Sequence, residues 1–241
     1  MSTPTVVLVH GAFADSTSWD GVVERLSAAG VPTLANAVPL RSLSGDATYL
    51  HDTLAAIDGP VVVVAHSYGG MVATQAAAGV PGVVGIVYVA AFAPDTGESA
   101  IDLSGRFPGS TLGDALVPTP LSDGGQDLAI RHDLFHGQFV ADVDAPTAAL
   151  MAVAQRPVTA AALGEPLTTA DPAWRSVPSW FVYGELDQNI PAETVRFLAE
   201  RAGSRGTTEI PGASHALSVS RPDAVAKVVL DAVQAVSRAA A

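Results

Sequence analysis

The stretch Val61-Val62-Val63-Val64-Ala65-His66-Ser67-Tyr68-Gly69-Gly70 decides the fold. Four valines in succession, with no polar alternation, read as a strand buried on both faces of a parallel sheet. Residues 71–78 are rich in good helix formers. A chain that passes from strand to helix within a few residues must bend sharply. The bend lifts Ser67 above the sheet edge and sets it at a helix N-terminus. This is the geometry of a nucleophile elbow, written G-x-S-x-G, with Ala65 in the first glycine position. A serine capping an ordinary strand–helix loop leaves the same trace, so the rest of the chain must decide.

A second apolar run over 5–9 ends in His10-Gly11-Ala12-Phe13. A glycine directly after a strand lets backbone N–H groups approach a ligand closely. Acyl transfer needs two such donors aimed at the oxygen that becomes negative in the tetrahedral intermediate. Tyr68, immediately after the serine, offers one N–H, and Ala12 the other, with Phe13 as the alternative. A serine also needs a base, and the base an orienting acid. The apolar run 179–183 is followed by Gly184-Glu185-Leu186-Asp187, and 207–210, which reads as a short strand, by Pro211-Gly212-Ala213-Ser214-His215. Asp187 and His215 thus both stand just beyond strand C-terminal ends, the edge at which open α/β sheets bind ligands. Glu185 is the rival acid, and Asp187 is preferred because it lies further into the loop.

With these pieces in place the chain resembles an α/β-hydrolase of the small bacterial carboxylesterase type, and more distantly the plant methyl esterases and hydroxynitrile lyases. The resemblance covers nearly all of the chain outside its middle. It implies a Ser67–His215–Asp187 triad, an oxyanion hole from Ala12 and Tyr68, and six strands in the order 2-1-3-4-5-6. Haloalkane dehalogenases and epoxide hydrolases of this fold carry an aspartate where this chain has Ser67. Hydroxynitrile lyases carry a threonine at the position of Gly11 and a lysine at that of Ala216. Perhydrolase and lactonase chemistry use the same triad, and a receptor could retain it.

The alternation of strands (5–9, 31–35, 61–65, 84–89, 179–183, 207–210) with helices (19–29, 46–57, 69–78, 191–202, 222–237) predicts a mostly parallel six-stranded sheet flanked by helices. Between strands four and five the alternation fails, and Pro and Gly are frequent. A structureless loop of that length is improbable in a compact domain. Residues 95–177 are therefore expected to form a helical cap, with helices over 124–139 and 145–154, inserted into a core of 1–94 and 178–241. Phe13, Phe92, Phe135 and His136 are the expected substrate-binding residues. His132 and His136 stand four apart, but the segment is not H-E-x-x-H and no third ligand is evident, so no metal is expected.

Composition agrees with an enzyme acting on small molecules. The 241 residues contain no cysteine, which removes disulfides and thiolate chemistry. A formal charge of −12 disfavours nucleic acid and anionic membranes as partners. The longest nearly continuous apolar run, 83–93, is far short of the roughly 20 residues of a membrane helix. Met1-Ser2-Thr3-Pro4 is expected to enter the first strand directly, so no signal segment is expected. The expectation is a cytoplasmic, cofactor-free serine hydrolase of a small carboxylic ester or lactone.

Overall fold

The computed structural model describes residues 3–239. Its centre is a parallel six-stranded sheet ordered β2-β1-β3-β4-β8-β9. The strands are β1 (Thr5–Val9), β2 (Thr33–Asn36), β3 (Val61–His66), β4 (Val83–Val89), β8 (Ser179–Gly184) and β9 (Thr207–Ile210). Every residue of β3 and of β8 is buried, as expected of strands covered on both faces. The flanking helices are α1 (Asp20–Ala28), α2 (Leu43–Ala55), α3 (Gly69–Ala76), α9 (Ala192–Arg201), α10 (Leu217–Ser220) and α11 (Pro222–Ala239). α11 packs on β3, β4 and β8 and against α1, whereas α3 packs on β1 and β3 and against α2.

Register explains why the loops converge. Val9 pairs with Ala65 across β1 and β3, His66 with Val89 across β3 and β4, and Gly184 with Ile210 across β8 and β9. Parallel strands that end level with one another release residues 10–13, 67–68, 185–190 and 211–215 at one edge.

Local chemistry moved two boundaries. Ser42 accepts the Gly45 N–H at 3.1 Å and starts α2 three residues earlier than residue 46. Gly30, with φ 72°, closes α1, and the Val31 N–H still bonds to Leu26, so β2 begins at Thr33 rather than at 31.

The segment 95–177 is not purely helical. It holds α4 (Ala100–Ser104), α5 (Leu112–Ala115), α6 (His132–Phe139), α7 (Ala145–Ala154) and α8 (Ala160–Gly164). It also holds a three-stranded antiparallel sheet of β5 (Leu116–Pro120), β6 (Gln126–Ile130) and β7 (Val158–Thr159). The helix expected over 124–139 therefore starts only at His132. Asp123-Gly124-Gly125 is a hairpin turn, with Gly124 at φ 88° and the Gly125 N–H donated to Asp123, and it turns the chain back along β5. Among the described residues no helix is long and apolar enough to cross a membrane.

Candidate active site

Ser67 sits between β3 and α3 with φ 54°, a left-handed conformation that costs a non-glycine residue about 1–3 kcal/mol. Its neighbours hold it there: the Ser67 N–H donates to Val89 O, and Ser67 O accepts from Gly70 and Phe92. The turn closes only because three positions lack a side chain. A Cβ on Gly70 would lie 2.1 Å from Phe92 O, one on Gly69 2.7 Å from Val9 O and His10 O, and one on Gly11 2.7 Å from Ser67 Cβ. Sequence and elbow are thus matched across three strands.

Asp187 and His215 meet beyond β8 and β9, with His215 Nδ1 2.7 Å from Asp187 Oδ2 and both side chains buried. The second carboxylate oxygen of Asp187 accepts the backbone N–H groups of Asn189 (2.8 Å) and Ile190 (2.9 Å). One carboxylate oxygen is thereby fixed by its own loop and the other is left for the imidazole. Glu185, the rival acid, is exposed and accepts the Gly212 N–H at 2.9 Å. It takes no part in this pair.

Ser67, His215, Ala12, Tyr68, Phe13 and Phe92 all border one cavity of about 180 Å3. The Ser67 hydroxyl bonds to no other protein group among the described residues. Catalytic hydrogen bonds are commonly loose before substrate binds. The Ala12 and Tyr68 N–H groups likewise meet no protein acceptor, whereas the Phe13 N–H is already donated to Arg156 O at 3.1 Å. Of the two candidates for the β1-loop donor, Ala12 is therefore the one left free.

Two buried histidines shape this edge. His10 Nε2 accepts the Val38 N–H at 2.9 Å, which leaves Nδ1–H to donate to Gly11 O at 2.9 Å. The Gly11 carbonyl shares a trans peptide with the Ala12 N–H, so this bond also fixes the direction in which that N–H points. His66 donates from Nε2 to His215 O at 3.1 Å. Burial holds both imidazoles below their usual range, His66 the further, with His215 nearby adding to the effect there. On the other side of the elbow the Tyr68 hydroxyl donates to Asp46 at 3.0 Å. Burial pushes that carboxyl up, against the Arg41 N–H and Tyr68 hydroxyl bonds that it accepts.

Phe135 and His136, expected at the substrate, do not border the cavity. Phe135 is fully buried against Phe139, with ring centroids 5.2 Å apart, and His136 Nε2 bonds to Val143 O at 2.9 Å. Phe139 takes the place foreseen for Phe135, with its ring 5.1 Å from His215. The two phenylalanines are four residues apart on one helix face, so the pair was visible and the choice within it was not. Leu112, Leu116 and Leu163 complete the apolar wall. Nothing in their spacing announces them.

Comparison with known proteins identifies the family. A model of the alpha/beta hydrolase family matches residues 6–228. Over 56% of its length the chain is 29% identical to "Probable hydrolase R7" of Phoma sp., spanning 66% of that protein, just under two thirds. It is 26% identical to the alpha/beta hydrolase nvfD of Aspergillus novofumigatus, over 96% of this chain and 97% of that one. Among solved structures, polyneuridine aldehyde esterase superposes with a TM-score of 0.82 at 20% identity, covering 95% of this chain and 99% of its own. The match to the family model extends over nearly the whole sequence, and the chain belongs to the alpha/beta hydrolase family.

Proposed function

We propose that the protein hydrolyses a small carboxylic ester or lactone through an acyl-enzyme intermediate on Ser67. The observation that carries this reading is the convergence on one cavity of a strained serine, a buried His215–Asp187 pair and two unengaged N–H groups. In this reading Ser67 Oγ attacks the carbonyl carbon while His215 Nε2 takes its proton, and Asp187 stabilises the imidazolium. The N–H groups of Ala12 and Tyr68 receive the oxyanion. The C–O bond breaks, and the leaving alcohol carries away the proton from His215. Water, deprotonated by the same nitrogen, then releases the acid and restores Ser67.

Hydrolysis is favoured over cyanohydrin cleavage because Gly11 and Ala216 stand where hydroxynitrile lyases carry the threonine and lysine that handle the cyanohydrin oxygen and the leaving cyanide. We read residues 95–177 as a cap on the core, since Ile101, Leu112, Leu116, Phe139 and Leu163 of that segment wall the cavity. A space of about 180 Å3 suits a short acyl group. A panel of p-nitrophenyl esters from acetyl to dodecanoyl, with lactones beside it, tests the reading. Turnover of short esters that falls by a factor on the order of 10⁶ in Ser67→Ala supports it. Turnover that survives the substitution contradicts it.

A further inference from the structure

Phe13 borders two cavities. One is the space that holds Ser67, and the second has the same volume, about 180 Å3. The second is walled by Met151, Ala154 and Gln155 at the end of α7, by Val219 of α10 and by the chain between residues 14 and 20. Among the described residues, Phe13 is the one that the two walls share. A single side chain thus divides the catalytic space from a neighbour of equal size.

The divider is held from several sides. Phe13 is buried, and its ring meets Phe139 edge-on, with centroids 6.3 Å apart and planes at 86°. Its backbone N–H is donated to Arg156 O at 3.1 Å, just past α7. The residue has φ 61°, a left-handed conformation that glycine adopts freely and a bulky side chain resists. A local rule broken at the catalytic edge points to a use for the side chain. Volume suggests which use. Sites for small molecules commonly hold roughly 300–1,000 Å3. Either space alone, at about 180 Å3, falls below that range, and the two joined exceed its lower bound.

We infer that Phe13 is a partition that sets the size limit of the substrate. The ring keeps an ester chain out of the second cavity, and its removal adds that cavity to the catalytic one. This role rests on the ester-hydrolase reading of the same site and adds a specificity determinant to it. The favoured substrates are compact esters whose chains end before the ring.

The test uses two series, p-nitrophenyl esters from acetyl to dodecanoyl and acetates from ethyl to octyl. What is read is the ratio of long-chain to short-chain kcat/KM within each variant, which cancels any general loss from disturbing the neighbouring Ala12 N–H. Phe13→Ala should raise that ratio in at least one series, by about fourfold for each methylene that gains a buried place. Phe13→Leu, a milder change, should move it the same way and serves if the alanine variant does not fold. Met151→Trp fills the second cavity from the side away from Ser67. In the wild-type background it should leave the ratio unchanged, and in Phe13→Ala it should return the ratio towards the wild-type value. Calorimetry of the same esters with Ser67→Ala protein, with and without Phe13→Ala, reads the size limit without turnover. A limit in binding that Phe13 controls, in a protein whose wild type turns over no ester, would sink the hydrolase reading and keep the partition. An unchanged ratio in folded Phe13 variants, or a raised ratio that Met151→Trp does not reverse, would overturn the partition. So would a drop in the ratio on Met151→Trp alone, which would show that the second cavity is already in use.

Discussion

Ser214, the residue before His215, donates its hydroxyl hydrogen bond to Asp142, which lies 72 residues earlier, between α6 and α7. Arg221 Nη1 approaches the other oxygen of Asp142 at 3.1 Å. On the far side of His215 the Ala216 N–H bonds to Phe139 O at 3.2 Å. The end of α6 thus grips the histidine loop on both sides. Through Gln138 it also grips the acid loop.

This grip gives a first prediction. Asp142→Ala should lower kcat by about 10- to 100-fold with KM changed by less than about threefold, the scale of losing a hydrogen bond to a charged group. The measurement is steady-state kinetics on a short ester beside a denaturant melt. An unchanged kcat in a destabilised protein would make the contact purely structural.

The assignment of the acid is tested by a pair of substitutions. Asp187→Asn keeps the shape but favours the wrong histidine tautomer, a change that costs about 10⁴-fold in the chymotrypsin-like case. Glu185→Gln touches only a surface bond to the Gly212 N–H and should cost less than about threefold. Reversed losses would move the acid to Glu185.

Phe135 and Leu163 separate packing from substrate contact. Phe135 is fully buried away from the cavity, so Phe135→Ala should destabilise the fold by about 3–5 kcal/mol and leave the acyl-chain preference unaltered. Leu163 borders the cavity, so Leu163→Trp should shorten the longest acyl chain accepted. A chain-length profile that shifts in the first variant and not in the second would invert the two roles.

Stability should depend on pH through His66 and His10. Both are held below the ordinary histidine value of 6.5, so the unfolded chain binds more protons than the folded one. Their contribution is complete above about pH 6.5 and is lost as pH falls, with a slope of at most about 1.4 kcal/mol per pH unit for each histidine. Asp46 acts in the opposite sense. Its raised carboxyl contributes stability at low pH, lost as pH rises through its folded value. His66→Gln, which keeps a donor towards His215 O, should flatten the fall between pH 6.5 and 5. Parallel curves for wild type and variant would show that His66 is not held neutral.

The sheet was legible because its strands carry their own evidence. The valine run of β3 needs burial on both faces, and β1 and β9 have the bounds read for them from the sequence. The elbow was legible for a related reason, since a sharp bend demands small residues at fixed spacing. Contacts made across long sequence distances were hidden. Nothing near Asp142 announces Ser214, and nothing near Gln138 announces Asn189. The Asp123-Gly124-Gly125 turn is visible in the sequence, but neither Leu116–Pro120 nor Gln126–Ile130 alternates polar with apolar residues, so the strands on either side of it carry no period-two signal.

Covalent labelling distinguishes an activated Ser67 nucleophile from an inert hydroxyl. A fluorophosphonate incubated with the native protein should form one adduct, located by peptide mass spectrometry on the fragment carrying Ser67. Ser67→Ala should remain unlabelled while melting at nearly the same temperature. A folded wild-type protein that takes no label, or takes it on a different serine, would show that Ser67 is not the nucleophile.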